Sequence, residues 1–114
     1  MALEAAAAID DKKGLDIALL DVSELLVITD VFVIASGMSR RQVLSLADEV
    51  EVRLKSMDRR PLRREGVEDG HWVLLDYGDL VVHLFDEETR AFYELERLWG
   101  NAGRIAYEPA ATNA

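Results

Sequence analysis

Between His71 and Phe85 the chain reads His-Trp-Val-Leu-Leu-Asp-Tyr-Gly-Asp-Leu-Val-Val-His-Leu-Phe, two apolar runs parted by the acidic stretch Asp76-Tyr77-Gly78-Asp79. Short runs dense in branched and aromatic residues are strands, and a glycine between them signals a tight turn. Apolar residues occupy both faces of each strand, so the hairpin belongs inside a sheet and not at its edge. With Tyr77 and Gly78 at the centre of the turn, Asp76 and Asp79 face each other and Trp72 stands opposite His83. Like charges opposed across a hairpin cost about 0.2–1 kcal/mol. The pair either tolerates that cost in solvent or engages something positive.

A chain of 114 residues is one domain, long enough to bury about two thirds of its unfolded surface in a single core. No apolar run approaches the roughly 18–20 residues of a membrane span. The stretch Met-Ala-Leu-Glu-Ala-Ala-Ala-Ala carries Glu4 and no basic flank, so it does not read as a secretory signal. No cysteine is present, which removes disulfides, thiolate catalysis and Cys-type metal sites. A cytoplasmic protein with no membrane association is the expectation. Twenty-two acids against 13 bases give a net charge of −9. That field repels naked nucleic acid and favours a basic protein or a cation as partner, besides aiding solubility.

The rest of the chain divides into short elements. Leu3, Ala6, Ala7 and Ile9 can line one face of an N-terminal helix that Gly14 stops. Residues 16–22 and 30–36 read as buried strands, the second being the strongest β signal in the chain. Ser39 and Gln42 form a capping box ahead of a helix whose apolar stripe is Val43, Leu46, Ala47, Val50 and Leu54. Residues 61–65 form an edge strand, where Pro61 is allowed. Asp86-Glu87-Glu88-Thr89 opens a last helix with Phe92, Leu95, Leu98 and Trp99 as its buried face and Gly100 as its end. Residues 101–114 carry no periodicity and are expected to form a flexible C-terminal tail. The fold class is α/β, with helices packed on a mixed sheet of about five strands.

Several groups have chemistry to weigh. Gly37-Met38-Ser39 lies at a strand-to-helix turn, where phosphates are often held. Nucleotidyltransferases pair such a turn with two Mg²⁺-binding carboxylates, and Asp76 and Asp79 could supply them. However, no Asp-x-Asp lies on any strand, and Gly-x-Ser replaces adjacent Gly-Ser. A strand-to-helix turn with an N-cap accounts for the same residues. His71 and His83 lack a third metal ligand at useful spacing, and a His packed on Trp72 is the better reading. Arg59, Arg60, Arg63 and Arg64 cluster around Pro61, but Asp58, Glu65 and Glu68 neutralise them, as on an edge strand defended by charge. Tyr77, at the tip of the turn, reads as an exposed aromatic between two acids, a docking tip for a basic partner.

With these segments placed, the chain resembles the ribosomal silencing factor family, also called Iojap-like. The N-terminal half of the resemblance rests on Asp11-Lys12-Lys13, Asp16-Ile17, Asp21-Val22, Thr29-Asp30-x-Phe32-Val33-Ile34-Ala35-Ser36-Gly37, Ser39-x-Arg41-Gln42-Val43 and Ala47-Asp48. The C-terminal half rests on Glu65-Gly66, residues 70–79, Val81-Val82-His83 and Arg90-x-Phe92-Tyr93-x-Leu95-Glu96-x-Leu98-Trp99. Together these span residues 5–100 in one register; Val31 and the loop Met38-Ser39-Arg40 depart from the family pattern. The resemblance implies a nucleotidyltransferase-like fold that lacks the catalytic carboxylate set. It implies a non-enzymatic factor without a cofactor or metal, homodimeric when free, over a single domain 1–100. Such a factor binds protein fourteen of the large ribosomal subunit, blocks subunit joining and represses translation when nutrients are short. By position, Trp72, Leu74, Leu75, Asp76, Tyr77, Gly78 and Asp79 would carry the contact, with His83 and the acids of the last helix as lesser candidates. A Mg²⁺-dependent nucleotidyltransferase-type enzyme built on Ser39, Asp76 and Asp79 is the alternative.

Overall fold

The computed structural model describes residues 1–26, 29–98 and 103–105. Helix α1 (Ala2–Asp11) leads into strands β1 (Leu15–Asp21) and β2 (Val31–Gly37), then helix α2 (Arg40–Lys55). Strands β3 (Arg63–Glu65), β4 (Trp72–Asp76) and β5 (Leu80–Asp86) follow, then helix α3 (Glu87–Tyr93), the single turn α4 (Leu95–Leu98) and strand β6 (Gly103–Ile105). The six strands form one sheet in the order β3-β4-β5-β2-β1-β6. β2 and β5 run parallel at its centre and every other pair is antiparallel. Both strands of the hairpin are therefore interior, as their two-sided apolar pattern predicts.

Alternation along the strands builds two cores. On one face Leu19, Val33, Val73, Leu75, Val82 and Leu84 meet α1 and α2. α2 buries Val43, Leu46, Ala47, Val50 and Leu54, the predicted stripe. α1 buries Ala5, Ala6, Ala8 and Ile9, whereas Leu3, expected inward, is exposed. Alanine on the inner face lets the two helices approach closely, and Leu3 falls on the outer side of the same turn. On the other sheet face Phe32, Ile34, Val81 and Phe85 meet Leu95 and Leu26. Among the described residues no helix is long and apolar enough to cross a membrane.

Ser39 caps α2 as predicted, its hydroxyl accepting from the Gln42 N–H at 3.1 Å. Gln42 does not complete the box on Ser39. Its Oε1 accepts from the Met38 N–H at 2.6 Å, and its Nε2 donates to the Lys12 and Lys13 carbonyls at 3.2 and 3.0 Å. One amide thus ties the helix start to the turn between α1 and β1. Arg63–Glu65 forms the expected edge strand, with every residue exposed.

The C-terminal part differs from expectation at two points. The last helix breaks at Glu94, which sits at φ +47°, and Phe92, expected in the core, is 78% exposed. The break rotates the faces on its two sides out of line, so Leu95 is buried while Phe92 points outward. Arg90 spans it, donating to Glu96 at 2.6 Å and to the Ser36 hydroxyl at 2.8 Å. Within the segment expected as a tail, Gly103–Ile105 adds a sixth strand along β1; three residues are too few to show a period. The side chain of Leu98, all of Trp99 and Gly100, and the remainder of 101–114 lie outside the described residues.

Candidate functional site

The hairpin turns one residue later than its sequence suggests. Gly78 takes φ +92°, and the Tyr77 N–H donates to the Leu80 carbonyl at 2.8 Å, which centres the turn on Gly78-Asp79. Asp76 consequently stands opposite Val81, Leu74 opposite His83 and Trp72 opposite Phe85. The predicted Asp76/Asp79 and Trp72/His83 pairs do not form. Moving the centre by one residue shifts every partner by two, so each side chain keeps its face. Trp72 and His83 remain diagonal neighbours, and the Trp72 Nε1–H donates to His83 Nδ1 at 3.2 Å.

The two tip acids are engaged by arginines of the basic cluster. Asp76 accepts from the Gly78 N–H at 2.8 Å and from Arg63 at 3.1 Å. Arg59 donates to Asp79 at 2.6 Å and to the Tyr77 carbonyl at 3.1 Å, with its guanidinium 5.9 Å from the Tyr77 ring centre. The Arg59 hydrogen bond holds the Asp79 carboxyl below the usual range. Tyr77, expected to crown an exposed tip, is only 5% exposed, and Leu75 is fully buried. Both continue the alternation of Val73 toward the helix-covered core. Burial, and then the charge of Glu51, push the Tyr77 hydroxyl up to about 12. The side chains of Leu75 and Tyr77 thus face the helix-covered core and not the surface expected to dock.

The other candidates gather on the opposite sheet face. Trp72 lies 4.9 Å from Phe85 and 4.9 Å from Tyr93, while Phe32 meets His83 edge-on at 4.7 Å between ring centres. Trp72 and Leu74 are half-buried; Phe92 and Tyr93 extend the aromatic surface into solvent. His83 is buried, and burial pushes its pKa down to about 4 against the opposing pull of Asp76. Beside it lies a hollow of about 380 Å³ walled by Leu26, Phe32, Leu74 and Val81, with Thr29, His83, Asp76, Arg63, Leu62 and Gly78 completing its lining.

The structure thus brings Trp72, Leu74, Asp76, Gly78 and His83 to one surface, leaves Asp79 on the tip beside Arg59, and withdraws Leu75 and Tyr77. The two histidines are bound separately, His71 to Asp86 at 2.5 Å and His83 to Trp72. Of the groups weighed for a nucleotidyltransferase-type site, Ser39 caps α2, Asp76 pairs with Arg63 and Asp79 pairs with Arg59. Sequence reasoning missed Thr29, Phe32, Leu62 and Tyr93 on this surface. Alternation within 31–36 puts Phe32 and Ile34 on one face, but only the parallel β2–β5 register sets them beside Val81 and His83.

Comparison with known proteins gives a consistent result. The family model described as "Ribosomal silencing factor during starvation" matches residues 1–114. The chain is 41% identical over 98 residues to the ribosomal silencing factor of Bacillus subtilis (strain 168), covering 86% of this chain and 83% of that one. It is 36% identical over 107 residues to the chloroplastic protein Iojap of Arabidopsis thaliana, covering 91% of this chain and 43% of that protein. A crystal structure of a Chromobacterium violaceum protein superposes with a TM-score of 0.83 at 40% identity, over 91% of this chain and 86% of the other.

Proposed function

The chain belongs to the ribosomal silencing factor family, and from that premise we propose that it silences ribosomes by occupancy, in the cytoplasm and without chemistry of its own. It binds the large ribosomal subunit through protein fourteen, prevents the small subunit from joining, and so represses translation under nutrient limitation. The observation that supports this reading is the sheet face carrying Trp72, Leu74, Asp76 and His83. α1 and α2 cover the opposite face, while Trp72 and Leu74 remain half-exposed between the aromatic Tyr93 and Phe92 and the apolar Leu62. Half-exposed Trp and Leu amid aromatic neighbours are suited to anchor an interface. The net charge of −9 complements a basic ribosomal surface and speeds encounter more than it deepens affinity. Free protein forms a homodimer, a point for analytical ultracentrifugation.

Light scattering of purified subunits tests exclusion directly, since a saturating excess of the factor should suppress association. Trp72→Ala and Leu74→Ala are expected to weaken pelleting with large subunits by about tenfold or more, as central anchors do. Val52→Ser, on the exposed side of α2, should pellet like the parent. Subunits that join equally well with the factor present would overturn exclusion. Unchanged pelleting of both sheet-face variants would move the interface elsewhere.

A further inference from the structure

Two polar side chains line the hollow on the sheet face and find no hydrogen-bond partner among the described residues: Thr29 through Oγ1 and His83 through Nε2. Both are deeply buried, at 4% and 5% exposure. Leaving such a group unpaired costs about 1–3 kcal/mol, so a molecule that supplies the missing partners gains by entering.

The chemistry of that molecule follows from the lining. Trp72 donates to His83 Nδ1, so the neutral ring carries its proton on Nε2 and offers a donor there. Thr29 offers a hydroxyl that either donates or accepts. The walls, Leu26, Phe32, Leu74 and Val81, are apolar. The one cation of the lining, Arg63, is already paired with Asp76 at 3.1 Å and with Glu65 at 3.3 Å. An anion would meet no uncommitted positive charge there and would face the Asp76 carboxylate. A volume of about 380 Å³ lies at the small end of the range of about 300–1,000 Å³ for ligand pockets.

We propose that the hollow between Thr29 and His83 is a binding site for a compact, neutral, amide-bearing molecule. Its carbonyl accepts the His83 Nε2–H, its N–H reaches Thr29 Oγ1, and its hydrocarbon body lies against Phe32, Leu74 and Val81. The proposal does not rest on ribosome docking, although the hollow shares Leu74, Asp76 and His83 with the docking face.

ε-Caprolactam, a seven-membered ring with one amide, is the probe. Titrated into ¹⁵N-histidine-labelled protein, it should shift the His83 Nε2 resonance saturably and leave His71 in place. Thr29→Val deletes a hydroxyl that has no partner among the described residues, at nearly constant shape, so its melting temperature should equal or exceed the parent's while lactam affinity falls about fivefold. Hexanoate, similar in size but anionic, should bind at least about tenfold more weakly, by the cost of a charge against Asp76. No saturable shift, equal binding by Thr29→Val, or hexanoate binding as well as the lactam would each overturn the proposal. Absent lactam binding together with weaker pelleting of Thr29→Val on large subunits would assign the hollow to a side chain of the ribosomal partner, and would also overturn it.

Discussion

His83 carries a pH-dependent contribution to stability. Its pKa falls from 6.5 to about 4 because burial penalises the charged ring, with the Asp76 carboxylate pulling weakly the other way. Between those values the unfolded chain binds a proton that the folded chain refuses. The stabilisation is therefore complete above pH 6.5 and drains away as pH falls toward 4. From pH 7 to pH 5 the loss attributable to this group is about 2 kcal/mol. Urea unfolding at a series of pH values should show that slope in the parent and not in His83→Gln, whatever the variant's absolute stability. Parallel slopes would mean that His83 titrates normally. The closeness of Trp72 and His83 was readable from strand alternation alone, because alternation survives an error in the turn. The burial of Tyr77 is harder to see in the sequence: the same alternation from Val73 through Leu75 points it inward, but it stands at the turn, and the partners that hold it, Arg59 above all, come from a distant loop.

At the level of elements, the loop between β3 and β4 is the most tightly constrained segment next to the docking face. Gly66 sits at φ +80°, and a Cβ there would lie 1.9 Å from the Trp72 carbonyl oxygen. Gly66→Ala combines left-handed strain with a backbone clash and should cost about 2 kcal/mol or more. A denaturant midpoint within error of the parent would show that the loop rearranges freely. Elements with local signatures were legible: the α2 stripe and its Ser39 cap, the interior hairpin, and the edge strand, which begins at Arg63 and so two residues after Pro61. The break at Glu94 was not, since no proline or glycine marks it and the helix-like spacing of Phe92, Leu95 and Leu98 runs straight across. β6 was equally silent, being three residues whose only support is a distant partner, β1.

Among the described residues the molecule is a sheet with α1 and α2 on one face and the aromatic residues, beside α3 and Leu95, on the other, in a chain bearing a net charge of −9. If the partner is basic, long-range attraction should govern encounter. The association rate with large subunits is then expected to fall several-fold between about 50 and 150 mM salt, with dissociation nearly unchanged. Stopped-flow measurement with a labelled factor checks this, and a salt-independent association rate would argue for docking led by apolar contact alone. Which residues gather around Trp72 and His83 was out of reach from sequence, because it depends on strand order, and strand order depends on pairing between segments far apart in the chain. The same long reach shapes how the protein is made. The central parallel pair joins Val31 to Leu80 and Gly37 to Asp86, partners about fifty residues apart, so half the sheet must wait for the other half to be synthesised. At about 5–20 residues per second that wait lasts a few seconds. Throughout it the most apolar strand of the nascent polypeptide has no neighbour on its inner edge, which makes it the natural point of attention for a chaperone at the exit tunnel.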